Sequence, residues 1–373
     1  MTKLLATLCL VTACYLAGAA SASPPPRVDA GAWVVENGAG LVLASSHLQD
    51  RRAIASITKL MTVLVVLEHH RLSDVITVDD RVADVGQESI VLRPGEQLTV
   101  ADLIRGALIQ SANDAAVALA LGTSPDLDAF AKLMNAKAAK LGLRHTQFVN
   151  PDGLDTPGAY STAADVTTLA RTAMRVPFIR DTVGEQTASI AGGRTLHTWN
   201  DLLGSLPGVI GVKTGHTDDA GWSQVLADRQ GSTTIYATIL GSPSREQRNA
   251  DLRRLIGWGQ NLFTVVQAVQ PREPYAEVAL PYGHAPVTLV ARSQLRALVR
   301  PWRGLTRRIV AARSTSLPVR RGQVLGRVEV WDGTRLVGSR ALVASRSVPR
   351  PGLPGRVQWY AGRSVHDILG LIT

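Results

Sequence analysis

Ala55-Ser56-Ile57-Thr58-Lys59-Leu60-Met61-Thr62-Val63-Leu64-Val65-Val66-Leu67 is apolar at nearly every position after Lys59, with only Thr62 to interrupt it. Such a run suits a helix buried on all sides, and it is long for a strand despite its three valines. A polar Ser-x-x-Lys pair at the start of so apolar an element calls for a reason. Residues three apart on a helix share a face, one turn from each other. The Ser56 hydroxyl and the Lys59 amine are therefore expected to meet at the helix N-terminus, where backbone N–H groups point outward. That is a way to build an activated nucleophile.

Before this stretch, Ala32–Val35 and Leu41–Leu43 flank Asn37-Gly38-Ala39-Gly40, a hairpin signal. After it, residues 72–98 read as short strands and turns punctuated by Pro94-Gly95. Helices are expected from Thr99, from Ala115 to Leu121, from Ser124-Pro125 to a stop at Gly142, and from Thr162 to Pro177. Strands then dominate, around Val209–Val212, Trp222–Leu226 and Thr233–Leu240, before a helix from Arg245 to Phe263. Strands, a block of helices, strands and a closing helix make an α+β domain, residues 31–268. Its antiparallel sheet should draw its first and last segments from the two ends of the domain. Residues 269–275, Pro-rich, read as a linker, and 276–348 as a small all-β domain of short Val-rich segments.

Of the 373 residues, 1–22 read as a secretory leader: Lys3, an apolar stretch from Leu4 to Leu16, then Ala20-Ser21-Ala22. Val11-Thr12-Ala13-Cys14 is the alternative, a lipoprotein-type signal with a short apolar stretch. Residues 23–30 form a Pro-rich tail. Both cysteines, Cys9 and Cys14, lie inside the leader, so the mature chain is expected to be exported, free of disulfides and unable to use thiol chemistry.

Charge is unevenly placed. Residues 271–373 carry 17 Arg, no Lys and 5 acidic residues, a net +12, whereas residues 23–270 come to −3. In an exported protein such a basic region points to anionic lipid or envelope polymer rather than nucleic acid, or else to a solvated Arg-rich surface. Residues 349–373 add apolar positions at three- and four-residue steps (Val357, Ala361, Val365, Ile368, Ile372), the pattern of an amphipathic anchor on a membrane or of a helix docked on the β domain.

Two further triplets carry chemistry. Ser111-Ala112-Asn113 breaks a helical region, and Lys213-Thr214-Gly215 ends an edge-like strand. Singly such triplets are weak, since an S-x-x-K or S-x-N is expected about once by chance in a chain of this size. Together with Ser56-x-x-Lys59 they stand in the order and spacing used by penicillin-recognising serine enzymes. The chain resembles the low-molecular-mass penicillin-binding proteins, serine-type D-alanyl-D-alanine carboxypeptidases of the peptidase S11 kind. Further matches are Leu103–Ser111, Asn113-Asp114-Ala115, Asn150-Pro151-Asp152-Gly153-Leu154-Asp155, Tyr160-Ser161-Thr162 and Gly211–Thr217. The resemblance is close over about residues 30–265, and the β domain resembles its counterpart in position and type. Ile54 stands where the family usually has Pro, and Ala112 where Gly is common; neither change removes a functional group.

A serine hydroxyl needs a base within hydrogen-bond reach, and local spacing fixes only Lys59. A free lysine titrates near ~10.4, so the role demands a lowering of roughly three units. Burial and a like charge from Lys213 across the cleft are the two expected causes. Ser111 can relay a proton, the Asn113 amide can hold substrate backbone, and Lys213, Thr214 and Gly215 suit a peptide ending in a free carboxylate. The resemblance further implies an oxyanion hole from the backbone N–H groups of Ser56 and His216. It also implies a supporting role for Arg248, identified by its ten-residue lead over Trp258. Its substrates would be peptidoglycan stem peptides, and β-lactams its covalent inhibitors. No H-E-x-x-H and no Gly-rich phosphate loop is present, so neither metal nor cofactor is expected. The same motifs serve β-lactamases, but the only Glu between Asn113 and Lys213 is Glu185, outside the E-x-x-L-N context of class A enzymes. An endopeptidase, or a silent envelope-binding module with the same residues, is the remaining alternative.

Overall fold

The computed structural model describes residues 13–14, 23–83, 85–231, 233–299 and 305–354, with residues 357 and 359. Of the expected leader only Ala13–Cys14 is described, paired antiparallel with Thr306 and Arg307. Most of the expected amphipathic tail lies outside the described residues. Two compact units divide between Asn261 and Leu262.

The first unit is built on a five-stranded antiparallel sheet in the order Val42–Ser46, Ala32–Asn37, Thr233–Ser242, Gly221–Gln230, Val209–Thr217. The N-terminal hairpin lies directly beside the last strand of the unit, with Val34 opposite Thr238 and Trp33 opposite Ile239. The sheet thus joins the two ends of the domain, as the strand–helix–strand order predicts. Packed with it is the helix Lys59–His69, buried at every position from Lys59 to Val66. An element with no solvent face needs no polar stripe, which accounts for its uninterrupted valines and leucines. Four residues ahead of it, Ala55–Thr58 form a 3₁₀ turn, so Ser56 sits in a tighter coil than the α-helix that Lys59 begins.

Caps fall close to their expected places, with two corrections. The helix Leu127–Leu141 is capped by Asp126, whose carboxylate accepts from the Ala129 N–H at 2.6 Å, rather than by Ser124-Pro125. A carboxylate is a better partner for the orphan N–H groups than a serine already turned to the backbone. Pro177 does not terminate the helix Ala163–Ala173; it occupies the first position of a new short helix, Pro177–Thr182, where its missing N–H costs nothing.

The second unit holds antiparallel pairings among Pro274–Val278, Val287–Ala291, Arg335–Ala344, Val324–Asp332 and Leu305–Ala311. Its core gathers Val278, Val287, Leu289, Val328, Val330 and Leu342. It begins earlier than the expected linker: strand Thr264–Val269 already pairs with Leu295–Val299, and Pro271 bridges to Ala291. Residues 269–275 are therefore part of the β unit. Proline lacks a donor but keeps its carbonyl, so a Pro-rich stretch can still run along a sheet edge.

Candidate active site

Burial, hydrogen bonds and the chain's own turns bring the three triplets to one place. Lys59 is fully buried, and its Nζ donates to Ser56 Oγ at 2.7 Å, to Asn113 Oδ1 at 2.7 Å and to the Asp152 carbonyl at 2.6 Å. Burial pulls the Lys59 amine down to about 8, against the opposing pull of Asp152, Glu88 and Asp114. This shift corresponds to about 3 kcal/mol of differential stabilisation of the neutral amine. Desolvation, the first of the two expected causes, is the larger one.

Lys213 is also fully buried, and it donates to Ser111 Oγ at 2.8 Å and to the Thr214 carbonyl at 3.0 Å. Its amine is held well below the ordinary lysine range, first by burial and then by the charges of Lys59 and Arg248. The repulsion between the two buried ammoniums is mutual, so each disfavours protonation of the other. Ser111 itself has φ of +64°, a left-handed conformation unusual for a residue with a Cβ. Strain of that kind persists where surrounding contacts over-determine it, here the Lys213 bond and the packed helix Asn113–Thr123 that follows.

The sequence leads one to expect a substrate-binding amide at Asn113. In the structure Oδ1 accepts from Lys59, and one Nδ2 N–H donates to the Gly86 carbonyl at 3.0 Å, which orients the amide. Asn113 also holds the lysine.

A cavity of about 340 Å³ opens over the serine. Ser56, Ser111, Thr214, Gly215, His216 and Arg248 line it, together with Glu88, Trp199, Trp222 and Arg245. Lys59, Asn113 and Lys213 lie behind this wall. The strand Val209–Thr217 runs along the serine turn so closely that a Cβ on Gly215 would stand 3.2 Å from the Ser56 nitrogen. The exposed His216 ring stacks on Trp222, with centroids 4.0 Å apart.

Arg248 is 1% exposed, and its guanidinium reaches Asp201 at 3.4 Å and Asn249 at 2.8 Å. Burial lowers it to about 10, which leaves it cationic at neutral pH. Asp201 also accepts from Arg245 Nε at 2.7 Å. Two guanidiniums against one carboxylate leave one positive charge over at this side of the cavity. That is the chemistry of a carboxylate site.

Several supporting residues had no role in the sequence reading, although motifs containing three of them were visible. Thr62 Oγ1 donates to the Pro151 carbonyl at 2.6 Å, so the 150–155 loop is fastened to the serine's own helix. Asp155 then accepts from Thr217 Oγ1 at 2.6 Å and from the Asp219 N–H at 3.1 Å, tying that loop to the end of the Lys213 strand. Asp114 accepts from Ser89 Oγ at 2.6 Å and from the Ile90, Leu92 and Ala115 N–H groups, fixing the loop that carries Glu88. Glu88 had no signal at all, since it belongs to none of the triplets.

Known proteins place this arrangement. The sequence model of the D-alanyl-D-alanine carboxypeptidase family matches residues 19–244. The D-alanyl-D-alanine carboxypeptidase DacD of Salmonella typhimurium is 31% identical over 92% of this chain and 93% of its own. Among solved structures, penicillin binding protein 6B of Escherichia coli is 29% identical with a TM-score of 0.64, covering 88% of this chain and 99% of that one. Penicillin binding protein 5 of Haemophilus influenzae is 26% identical with a TM-score of 0.65, covering 88% and 100%. The chain belongs to the family of serine-type D-alanyl-D-alanine carboxypeptidases, the penicillin-binding proteins of the S11 kind.

Proposed function

We propose that Ser56 is the nucleophile and Lys59 its base in the removal of the terminal D-alanine from peptidoglycan stem peptides. One observation carries the assignment. Of the three oxygens around Lys59 Nζ, Asn113 Oδ1 and the Asp152 carbonyl can only accept, whereas Ser56 Oγ has a proton to give. The Asn113 amide cannot turn over without losing the Gly86 bond. A neutral Lys59 therefore spends its two N–H groups on the two fixed acceptors and presents its lone pair to Ser56.

In this reading the Ser56 proton passes to Lys59 as Oγ bonds to the carbonyl carbon of the penultimate D-alanine. Backbone N–H groups of Ser56 and His216 receive the developing oxyanion; one such donor is typically worth roughly 3 kcal/mol in the transition state. As the C–N bond breaks, Ser111 relays the proton held on Lys59 to the departing amine of the terminal D-alanine. It gives its own proton and takes that of Lys59, which leaves Lys59 neutral. The terminal carboxylate rests on Arg248 and Thr214. Water then cleaves the acyl-enzyme, with Lys59 again as base. A β-lactam acylates the same oxygen.

The leader pattern supports export, to a periplasm or to the outer face of the cytoplasmic membrane, where cell-wall synthesis and cell shape would be the setting. The Arg-rich C-terminal region supports a peripheral contact with anionic membrane. Among the described residues no helix is long and apolar enough to span one.

Incubation with a labelled penicillin and with a D-Ala-D-Ala peptide tests the reading. Durable labelling and D-alanine release, both lost in Ser56→Ala, are expected. Rapid penicillin turnover would indicate a β-lactamase, and no labelling a silent module.

A further inference from the structure

Glu88 is the only carboxylate among the residues lining the cavity above Ser56. Its side chain forms no ion pair or hydrogen bond among the described residues, although Arg245 and Arg248 line the same cavity. Its place is nevertheless fixed. The Glu88 carbonyl accepts from the Asn113 N–H at 2.7 Å, and the Asn113 side chain holds both Gly86 in the same loop and Lys59 in the site. Asp114 pins the next residues, through Ser89 Oγ and the Ile90 and Leu92 N–H groups. A half-buried carboxylate on a loop so tightly tied to the catalytic group, with no direct ion pair or hydrogen bond among the described residues, is placed to meet a charge on a ligand.

The two signs of charge on the wall belong to different elements. Arg245 and Arg248 come from the helix Arg245–Asn261, Glu88 from the loop that precedes Ser111. A carboxylate-ended substrate directs its terminus to the arginines, where Glu88 would repel it. The acyl side of the scissile bond must then lie along the remaining wall, with Glu88 within its reach.

We infer that Glu88 is a specificity-determining residue that binds a primary ammonium on the side chain preceding the D-Ala-D-Ala pair. The inference rests on the carboxypeptidase reading and deepens it: the preferred substrate is a stem peptide whose diamino residue keeps its side-chain amine free. The competing role for Glu88 is charge balance alone, since its carboxylate favours the protonated forms of both buried lysines. That role acts on every substrate alike, whereas recognition of an ammonium acts on one.

Two otherwise identical N-blocked peptides separate these, one with lysine and one with Nε-acetyl-lysine before D-Ala-D-Ala. D-Alanine release gives kcat/KM for each with the wild type, Glu88→Gln and Glu88→Asp. The wild type should prefer the free amine by about tenfold, the scale of one hydrogen bond between charged groups. The preference should vanish in Glu88→Gln, survive in Glu88→Asp, and weaken with added salt. A shift in lysine titration moves both peptides together and leaves the ratio untouched. Equal rates in the wild type, or a preference that persists in Glu88→Gln, would overturn the inference. Release from neither peptide would instead overturn the carboxypeptidase reading, and this inference with it.

Discussion

Gly153 and Ala55 touch through their backbones: a Cβ on Gly153 would stand 2.0 Å from the Ala55 carbonyl oxygen. On the other side, a Cβ on Gly215 would meet the Ile54 carbonyl oxygen at 2.7 Å. The turn that carries Ser56 is thus held between two glycines from distant parts of the chain. Position is set by backbone against backbone, which leaves no side-chain rotamer to blur the location of the nucleophile.

Substitutions at these glycines should separate stability from chemistry. Gly153 has φ of +85°, so Gly153→Ala suffers both backbone strain and the clash, and should lose about 3 kcal/mol of stability or more. Gly215 carries no such φ. Gly215→Ala should push the strand off the serine turn and slow penicillin acylation by about 100-fold, the cost of a misplacement near 1 Å. Its loss in a thermal or urea melt should be much smaller than that of Gly153→Ala. Normal acylation by folded Gly215→Ala would refute the close-packing argument.

The pH dependence follows from Lys59. Its amine is lowered to about 8 by burial, and only the neutral form can take the Ser56 proton. Acylation by penicillin should therefore rise with pH, tenfold per unit on the acid side, and level off above about 8. Glu88 is among the carboxylates that hold this value up, so the acid limb of Glu88→Gln should move to lower pH. A rate independent of pH between 6 and 9 would remove Lys59 as the base.

Local pattern made much of the site legible. Ser56 and Lys59 are three residues apart on a coil whose apolar continuation announces burial, and that burial is what lowers the lysine. The strand character of Val209–Thr217 likewise places Thr214 and Gly215 beside the serine. What escaped was whatever depends on pairing across the fold. Nothing near Asn113 shows that Gly86, 27 residues away, takes up its amide. Nothing near Lys213 says whether it faces the cavity or lies behind Ser111. Composition misled at residues 269–275, because proline and charge suit an exposed strand edge as well as a linker.

Asp114 offers a test of the loop that carries Glu88. Its carboxylate, 2% exposed, accepts from one hydroxyl and from the Ile90, Leu92 and Ala115 N–H groups. Asp114→Ala strands buried donors and should cost about 3 kcal/mol in urea denaturation. Asp114→Asn keeps an acceptor oxygen and should cost roughly half as much. If Asp114→Ala is as stable as the wild type, the loop is not held by this residue.

Arg248 is the test of the carboxylate site. The helix Arg245–Asn261 buries its guanidinium beside Trp222, whose ring centroid is 5.7 Å away, and Asp201 and Asn249 fix its orientation. With Arg245 it outweighs Asp201 by one charge, and that surplus is what a terminal carboxylate can use. Arg248→Gln should lower kcat/KM for a peptide acid by about 100-fold, near 3 kcal/mol for a lost charged hydrogen bond. The C-terminal amide of the same peptide never makes that contact, so its already slow hydrolysis should change far less. Arg248→Lys should restore little, because an ammonium cannot keep the Asn249 and Asp201 contacts while it also presents a flat fork to a carboxylate. Equal losses for acid and amide would mean that Arg248 supports the fold of the cavity and does not read the carboxylate.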